Sequence, residues 1–191
     1  MRQIIYLFKG VSLLLLFLLL GGKTMAQKPV PREIISRVNA GIQTGDKHLL
    51  ANNTDSARYY FLQAEKLSRQ YNYQRGIADF ISYYISVLNR EGKYDEALKL
   101  TLESVKICRN LKNGKLLAIA YNNVGEEYNY LGNLKAAATH YLKALKVSQS
   151  ISNVPFQQLL NNNLASVFLK LNDKDKGYFY AYQSYQLAVQ R

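Results

Sequence analysis

The stretch AYNNVGEEYNYLGNLKAAATHYLKAL, residues 120–145, decides the fold of this chain. Within it a small residue, Gly125, is followed twelve residues later by a second one, Ala137, with a turn between them. Large apolar residues stand close to both, at Tyr128 and Tyr141. A small residue lets two helix backbones approach, and a large side chain fills the adjoining gap. The stretch therefore predicts two helices that pack closely against each other.

The same pattern recurs along the chain with a period of 40 residues. Its small anchor residues are Ala57, Ala97, Ala137 and Gly177. Four residues after the anchors come Phe61, Thr101, Tyr141 and Ala181, and seven residues after them come Ala64, Ser104, Ala144 and Ser184. The turns before the anchors read ANNTDSA, EGKYDEA, LGNLKAA and LNDKDKG. Four units in register indicate an internal repeat of helix pairs.

These units resemble the tetratricopeptide repeat, and the resemblance covers nearly all of residues 33–191. The family's positions are matched best by Gly125, Tyr128, Gly132, Ala137, Tyr141 and Ala144. The 40-residue spacing is similar to the long-helix variant of kinesin light chains and bacterial regulators, whereas the commonest spacing is about 34. The resemblance implies an all-α solenoid of about four helix pairs, wound as a right-handed superhelix.

The helical period predicts eight helices and no strand. Their expected bounds are 33–51, 54–72, 74–91, 94–110, 114–131, 134–151, 155–171 and 174–190. Paired in order, they give repeat units at about 33–73, 74–113, 114–153 and 154–191. Asp55, Asp95 and Asp173 lie at or near the starts of second helices, where carboxylates suit the free N–H groups and the helix dipole.

Residues 1–26 have the pattern of a leader rather than of a folded segment. A basic start, the apolar run VSLLLLFLLL at 11–20 and a small-residue end at Ala26 are typical of a secretory signal peptide cut before Gln27. An uncleaved anchor is the alternative, although the run is short against the about 20 residues that span a bilayer. Residues 27–32 then form a linker. We expect an exported protein, periplasmic or secreted, and membrane-anchored if the leader is kept.

Composition limits the class of partner. The chain has 25 Lys and Arg against 13 Asp and Glu, a formal net charge of +12 that attracts polyanions in general. Export and the placement of the 16 tyrosines, mainly at core positions of the repeat, argue against nucleic acid. Basic residues of the second helices should lie on the convex side: Lys66, Arg69, Lys99, Lys106, Arg109, Lys143 and Lys146. A solvated face is the first interpretation, and contact with anionic lipid or envelope polymer is the second.

The sequence contains no motif for catalysis or metal binding. The single cysteine, Cys108, is expected to be a small core filler and excludes an intrachain disulfide. His48 is expected in a buried or half-buried structural position and His140 on the surface. Glu126 and Glu127 are adjacent on a helix and point about 100° apart, so they form no paired-carboxylate site by themselves. We therefore predict a non-enzyme without cofactor or metal.

First helices of a solenoid of helix pairs line its concave side. Positions there that core packing leaves over carry Ile42 and Gln43, Ser82 and Tyr83, Asn122 and Asn123, and Asn162 and Asn163. The paired asparagines are similar to the NNLG and NNLA signature of the long-repeat subfamily, and that resemblance implies that they reach the backbone of an extended bound peptide. A carboxamide has donors and an acceptor, so it matches a peptide group. Asparagines that merely solvate the helix surface are the alternative.

Our candidate peptide-binding residues are Tyr83, Asn122, Asn123, Glu126, Asn162 and Asn163, with neither Asn122 nor Asn162 assigned to the core. The leading function is an exported scaffold that binds a protein or peptide through its concave face. The alternative is the N-terminal sensory or scaffold part of a longer bacterial signalling protein, a histidine kinase or a transcriptional regulator. A third is an accessory array that positions an enzyme.

The last helix predicts an apolar surface at the C-terminal edge of the repeat array. Residues 174–190 carry aromatic and aliphatic side chains on more than one face, and a terminal repeat normally presents a polar side to water. We expect this edge to be covered by further repeats or by a second copy of the chain.

Overall fold

The computed structural model describes residues 29–189, so the leader proposed at 1–26 lies outside the described residues. Eight α-helices follow one another within that range: α1 Arg32–Leu50, α2 Thr54–Gln70, α3 Gln74–Arg90, α4 Tyr94–Asn110, α5 Gly114–Tyr130, α6 Leu134–Ser150, α7 Val154–Lys170 and α8 Lys174–Val189. All eight predicted helices are confirmed, and each end lies within two residues of its expected position. No strand occurs in this part of the chain.

The same turn joins every pair of consecutive helices. One residue of each turn has a positive φ, and these residues recur every 20 positions: Asn52, Asn72, Gly92, Lys112, Gly132, Ser152 and Asn172. In six of the seven turns the next residue donates its N–H to a carbonyl five positions back, as Asn53 does to His48 at 2.8 Å. This pattern closes the end of an α-helix by satisfying its last carbonyls. Five of the seven turns use a residue other than glycine, in a conformation that L side chains rarely adopt.

Asparagine and aspartate side chains cap the following helices. Asp173 accepts the N–H of Lys176 at 3.2 Å, as expected for a cap of α8. The caps of α2, α5 and α6 are Asn53, Asn113 and Asn133, whose side-chain oxygens accept backbone N–H groups at 3.1–3.2 Å. Asp55 and Asp95 lie in the first turns of α2 and α4, where a negative charge favours the helix dipole.

First and second helices form two layers. α1 contacts α3 and α3 contacts α5, so the first helices are neighbours along one side, and each second helix packs against the first helices on either side of it. The small residues act as expected at the core between the layers. Gly125 lies so close to the ring of Tyr141 that an added Cβ would come within 2.7 Å of it, and Ala137 is fully buried. The molecule is an α-solenoid.

Three residues with reactive side chains are structural. Cys108 is 1% exposed, and burial raises the pKa of its thiol, as expected for a core filler. His48 is half-buried and stacks on Tyr60 at 5.3 Å between ring centroids. The expectation of an exposed His140 is wrong, because its position is equivalent to that of Tyr60 and packs on the first helix of its own unit. Its ring lies 5.5 Å from that of Tyr128, and burial lowers its pKa to about 4.

The two ends of the solenoid differ in polarity. At the N-terminal end, α1 exposes Arg37, Ala40 and Lys47, whose equivalents Ile77, Phe80 and Val87 in α3 are buried. At the C-terminal end, α8 exposes a set of aromatic residues, Tyr178, Phe179, Tyr182 and Tyr185, each more than half accessible. Over residues 29–189, no helix is both long enough and apolar enough to cross a membrane.

Candidate functional site

Two clefts lie one after the other between the first helices α3 and α5. The first, of about 410 Å³, is lined from α3 by Asp79, Ser82 and Tyr83 and from the start of α5 by Lys115 and Ile119. The second, of about 300 Å³, is lined by Ser86, Asn89, Arg90, Glu126 and Tyr130. Because both clefts open between neighbouring first helices, they lie on the side formed by the first helices, which the sequence predicts to be concave.

A chain of hydrogen bonds crosses this face from α7 to α5. Asn163 donates from Nδ2 to Oδ1 of Asn122 at 3.0 Å, and Asn122 donates from its own Nδ2 to Oε1 of Glu126 at 2.9 Å. The structure therefore brings three of the six candidate residues together. Burial raises the pKa of Glu126, and the bond from Asn122 opposes that rise by stabilising the carboxylate.

The expectation that Asn122 lies outside the core is wrong. Asn122 is only 5% exposed and Asn123 only 8%, because the neighbouring first helices approach closely enough to cover these positions. The equivalent Ile42, also expected to be left over from packing, is buried too. Of the other candidates, Asn162 is exposed, and Tyr83 is 40% exposed and lines the first cleft.

Further side-chain hydrogen bonds join successive repeats. Arg90 donates to Oδ1 of Asn52 at 3.1 Å, and Lys170 donates from Nζ to Oδ1 of Asn129 at 3.0 Å. In the first cleft Arg75 pairs with Asp79 at 2.8 Å; burial raises the pKa of Asp79, and this pair opposes the rise. The face thus offers charged and neutral donors and acceptors whose positions are fixed by the repeat.

Sequence reasoning missed a buried acid behind the second cleft. Glu127 is 0% exposed and accepts a hydrogen bond at its Oε1 from Nδ2 of Asn89 at 3.0 Å. The remaining oxygens of this pair, Glu127 Oε2 and Asn89 Oδ1, are buried without a partner among the described residues. Burial raises the pKa of Glu127 to about 7. A proton on Oε2 gives this pair of acceptors the donor that it otherwise lacks.

The position of Glu127 in the repeat could have revealed it. Its equivalents in α3 and α7 are Val87 and Val167, both buried, and its equivalent in the terminal helix α1 is the exposed Lys47. An acid at a position that is otherwise apolar inside the array is an anomaly readable from the sequence.

The remaining polar groups suggest no other centre. In the described range, no three His, Cys, Asp or Glu side chains are grouped so that they could hold a metal ion. The basic residues expected on the convex side are all exposed. One of them, Arg69, pairs with Glu65 at 2.8 Å and with Glu103 at 2.9 Å.

Comparisons with known proteins agree with this architecture. Residues 78–150 match the family model of the tetratricopeptide repeat. Among solved structures, apo RapI is 21% identical with a TM-score of 0.76, and the match covers 82% of this chain and 57% of that one. A Rap protein complexed with Competence and Sporulation Factor is 19% identical with a TM-score of 0.76, covering 84% of this chain and 44% of that one.

A third similar structure is a signal transduction ATPase with a tetratricopeptide repeat sensor from Pyrococcus horikoshii. It is 17% identical with a TM-score of 0.73, and the match covers 86% of this chain but 25% of that one. The chain thus spans between a quarter and just over half of these solved proteins. At such identities the likeness shows the fold alone. No curated protein matches the chain.

Proposed function

We propose that this chain, whose residues 78–150 match the family model of the tetratricopeptide repeat, is a binding scaffold whose concave face holds an extended peptide segment of a protein partner. The observation that carries the proposal is the pair of consecutive clefts between α3 and α5, lined by hydroxyl, carboxamide and charged groups. An extended peptide presents N–H and C=O groups at regular intervals, and such a lining can pair with both. The scaffold acts by binding and carries out no catalytic step.

The candidate residues contribute to this binding in different ways. Tyr83 and Asn162 are exposed, so they touch the peptide directly. Glu126 lines the second cleft and accepts peptide N–H groups there. Asn122 is buried and positions Glu126 and Asn163 through its two hydrogen bonds. We also propose that the chain belongs to the long-repeat subfamily and that its asparagine pairs serve the binding of the peptide.

The test uses a library of random twelve-residue peptides displayed on phage and selected on the immobilised full chain. Enriched peptides are then synthesised and titrated calorimetrically against wild type, Tyr83→Ala and Asn162→Ala. Both variants should bind at least several-fold more weakly with unchanged thermal unfolding, because both side chains are exposed. Lys99→Ala, on the convex side, is the control and should bind like wild type. If Lys99→Ala weakens peptide binding and Tyr83→Ala and Asn162→Ala do not, the binding site lies on the convex face.

Export is a further part of the proposal, supported by the basic start and the apolar run of residues 1–26. The protein recovered from outside the cytoplasm should begin at Gln27, with or without cyclisation to pyroglutamate. N-terminal sequencing and intact mass measure this. An intact Met1 on protein from the cytoplasmic fraction would refute export.

A second candidate function is the sensory part of a longer signalling protein. It is favoured by the Pyrococcus horikoshii ATPase, in which a similar solenoid is a tetratricopeptide repeat sensor within a much longer chain. An immunoblot of the source cells with an antibody to the repeat domain distinguishes the two candidates. A band near the 21.8 kDa of this chain supports the free scaffold, and a band several times larger supports the sensor.

A further inference from the structure

Helix α8 exposes the face that the other second helices bury. The positions in α2, α4 and α6 that are equivalent to 178, 181, 185 and 188 are all buried or half-buried, because the first helix of the next unit covers them. On α8 these positions are Tyr178, Ala181, Tyr185 and Ala188, and all four are exposed. We call these four residues the α8 seam. Gly177 and Ser184, on the side toward α7, are buried as in the other units.

The opposite end of the solenoid does not suit this seam. A head-to-tail stack would place the α8 seam on the outer side of α1, which exposes Arg37, Ala40 and Lys47. Covering the arginine and lysine with the seam would remove two cations from water against a surface that carries no carboxylate to pair with them, which is costly. The seam therefore fits a copy of itself better than it fits the other end of the chain.

We propose that α8 packs antiparallel against α8 of a second copy, forming a two-fold symmetric dimer through the α8 seam. Large and small residues alternate along the seam. Antiparallel packing about a two-fold axis that keeps this register places Tyr178 opposite the partner's Ala188 and Ala181 opposite the partner's Tyr185. Each ring then fills the space above an alanine, which is how packed helices reach interior density. The same surface serves both copies, as two-fold symmetry requires.

Area and charge are consistent with such a dimer. Tyr178 and Tyr185 are 65% and 60% exposed, and the flanking Tyr182 and Val189 are 57% and 58% exposed. With about 150–250 Å² for each aromatic side chain, the interface covers roughly 500 Å² per copy, or roughly 1,000 Å² in all. This lies at the low end of specific interfaces, so the dimer should form reversibly with concentration.

The charged residues of α8 lie away from the seam's centre, in its first turn. Lys174, Asp175 and Lys176 carry a net charge of one positive unit there. Antiparallel packing brings this turn toward the C-terminal end of the partner's α8, where the helix dipole favours a cation.

The test measures the mass of the full chain by sedimentation velocity over a concentration series from about 1 to 200 μM. Wild type should shift from monomer to dimer across the series. Tyr185→Glu should remain monomeric, and so should Ala181→Lys, because a lysine crowds the partner's Tyr185. The control Phe179→Glu changes an equally exposed ring outside the seam and should still dimerise.

Mixing the two monomeric variants in equal amounts tests the register and shows that neither is merely misfolded. A mixed dimer pairs one native Ala181 with Tyr185 and places the new glutamate opposite the new lysine. Dimers should therefore form in the mixture but in neither variant alone. The proposal is overturned if wild type stays monomeric throughout, if Tyr185→Glu still dimerises, or if the mixture stays monomeric. None of these results depends on whether the concave face binds peptides.

Discussion

Replacing Glu127 by glutamine should remove a pH dependence from the stability of the fold. Glu127 is fully buried, and its bond to Asn89 leaves two buried oxygens, one on each residue, without a donor. Glutamine keeps the oxygen that accepts from Asn89 and replaces the other one by an NH₂ group, so it imitates the protonated acid without titrating.

The magnitude follows from the shift in the pKa of Glu127. Burial and the nearby Glu126 raise it from the ordinary 4.5 to about 7. The folded state therefore holds the proton more tightly than the unfolded state, and the free energy of unfolding falls as pH rises from 4.5 through 7. One pKa unit corresponds to about 1.4 kcal/mol, so the full loss is about 3 kcal/mol, of which about 2 to 3 kcal/mol falls between pH 5 and pH 8.

Urea unfolding followed by circular dichroism at pH 5, 6, 7 and 8 measures the effect. Wild type and Glu127→Gln should be nearly equally stable at pH 5, and the variant should be more stable by about 2 to 3 kcal/mol at pH 8. Asp173→Asn is the control: Lys176 lowers the pKa of Asp173, so this exposed group titrates below the range and the variant should keep the wild-type pH profile. Parallel profiles for wild type and Glu127→Gln would refute the assignment of a protonated Glu127.

Three other substitutions test the packing, the turns and the second buried titratable group. Ala137→Leu should lower the free energy of unfolding by about 1–3 kcal/mol through overpacking, whereas Thr139→Leu on the exposed side of α6 should change it little; an unchanged melting temperature for Ala137→Leu would mean that the register is wrong. Lys112→Gly should stabilise the protein by about 0.5–1 kcal/mol. Removing the strain of a positive φ of 51° gains more free energy than the added entropy of the unfolded chain costs. The control Lys115→Gly, inside α5, should destabilise the protein in the same urea titration. The pKa of His140 is lowered to about 4, so stability is lost as pH falls from 6.5 toward 4; His140→Tyr, the residue at the equivalent Tyr60 position, should reduce that loss when unfolding at pH 5 is compared with pH 7.

The 40-residue pattern was sufficient to predict the helices because it repeats four times. Gly125 and Tyr141 must meet for two helices to pack, and the same requirement at the other units leaves one register for the whole chain. The candidate site was less predictable. Whether Asn122 is exposed depends on how closely α5 approaches the first helices beside it, which is a property of the curvature and not of one repeat. His140 is half-buried for a local reason, because its position is equivalent to that of Tyr60 and both rings pack on the first helix of their own unit.

Glu127, which the helix pattern alone did not reveal, is a departure from the repeat and lies at an interface between units. In a solenoid each unit contacts only its neighbours, so total stability is close to a sum of units and interfaces. Glu127 occupies a position that is buried where the second and third units meet, and its equivalents Val87 and Val167 are apolar at the other two interfaces. The interface crossed by both concave clefts is therefore the one whose stability should change with pH. A partner that binds across α3 and α5 stabilises this interface, so its affinity and the protonation of Glu127 should be linked.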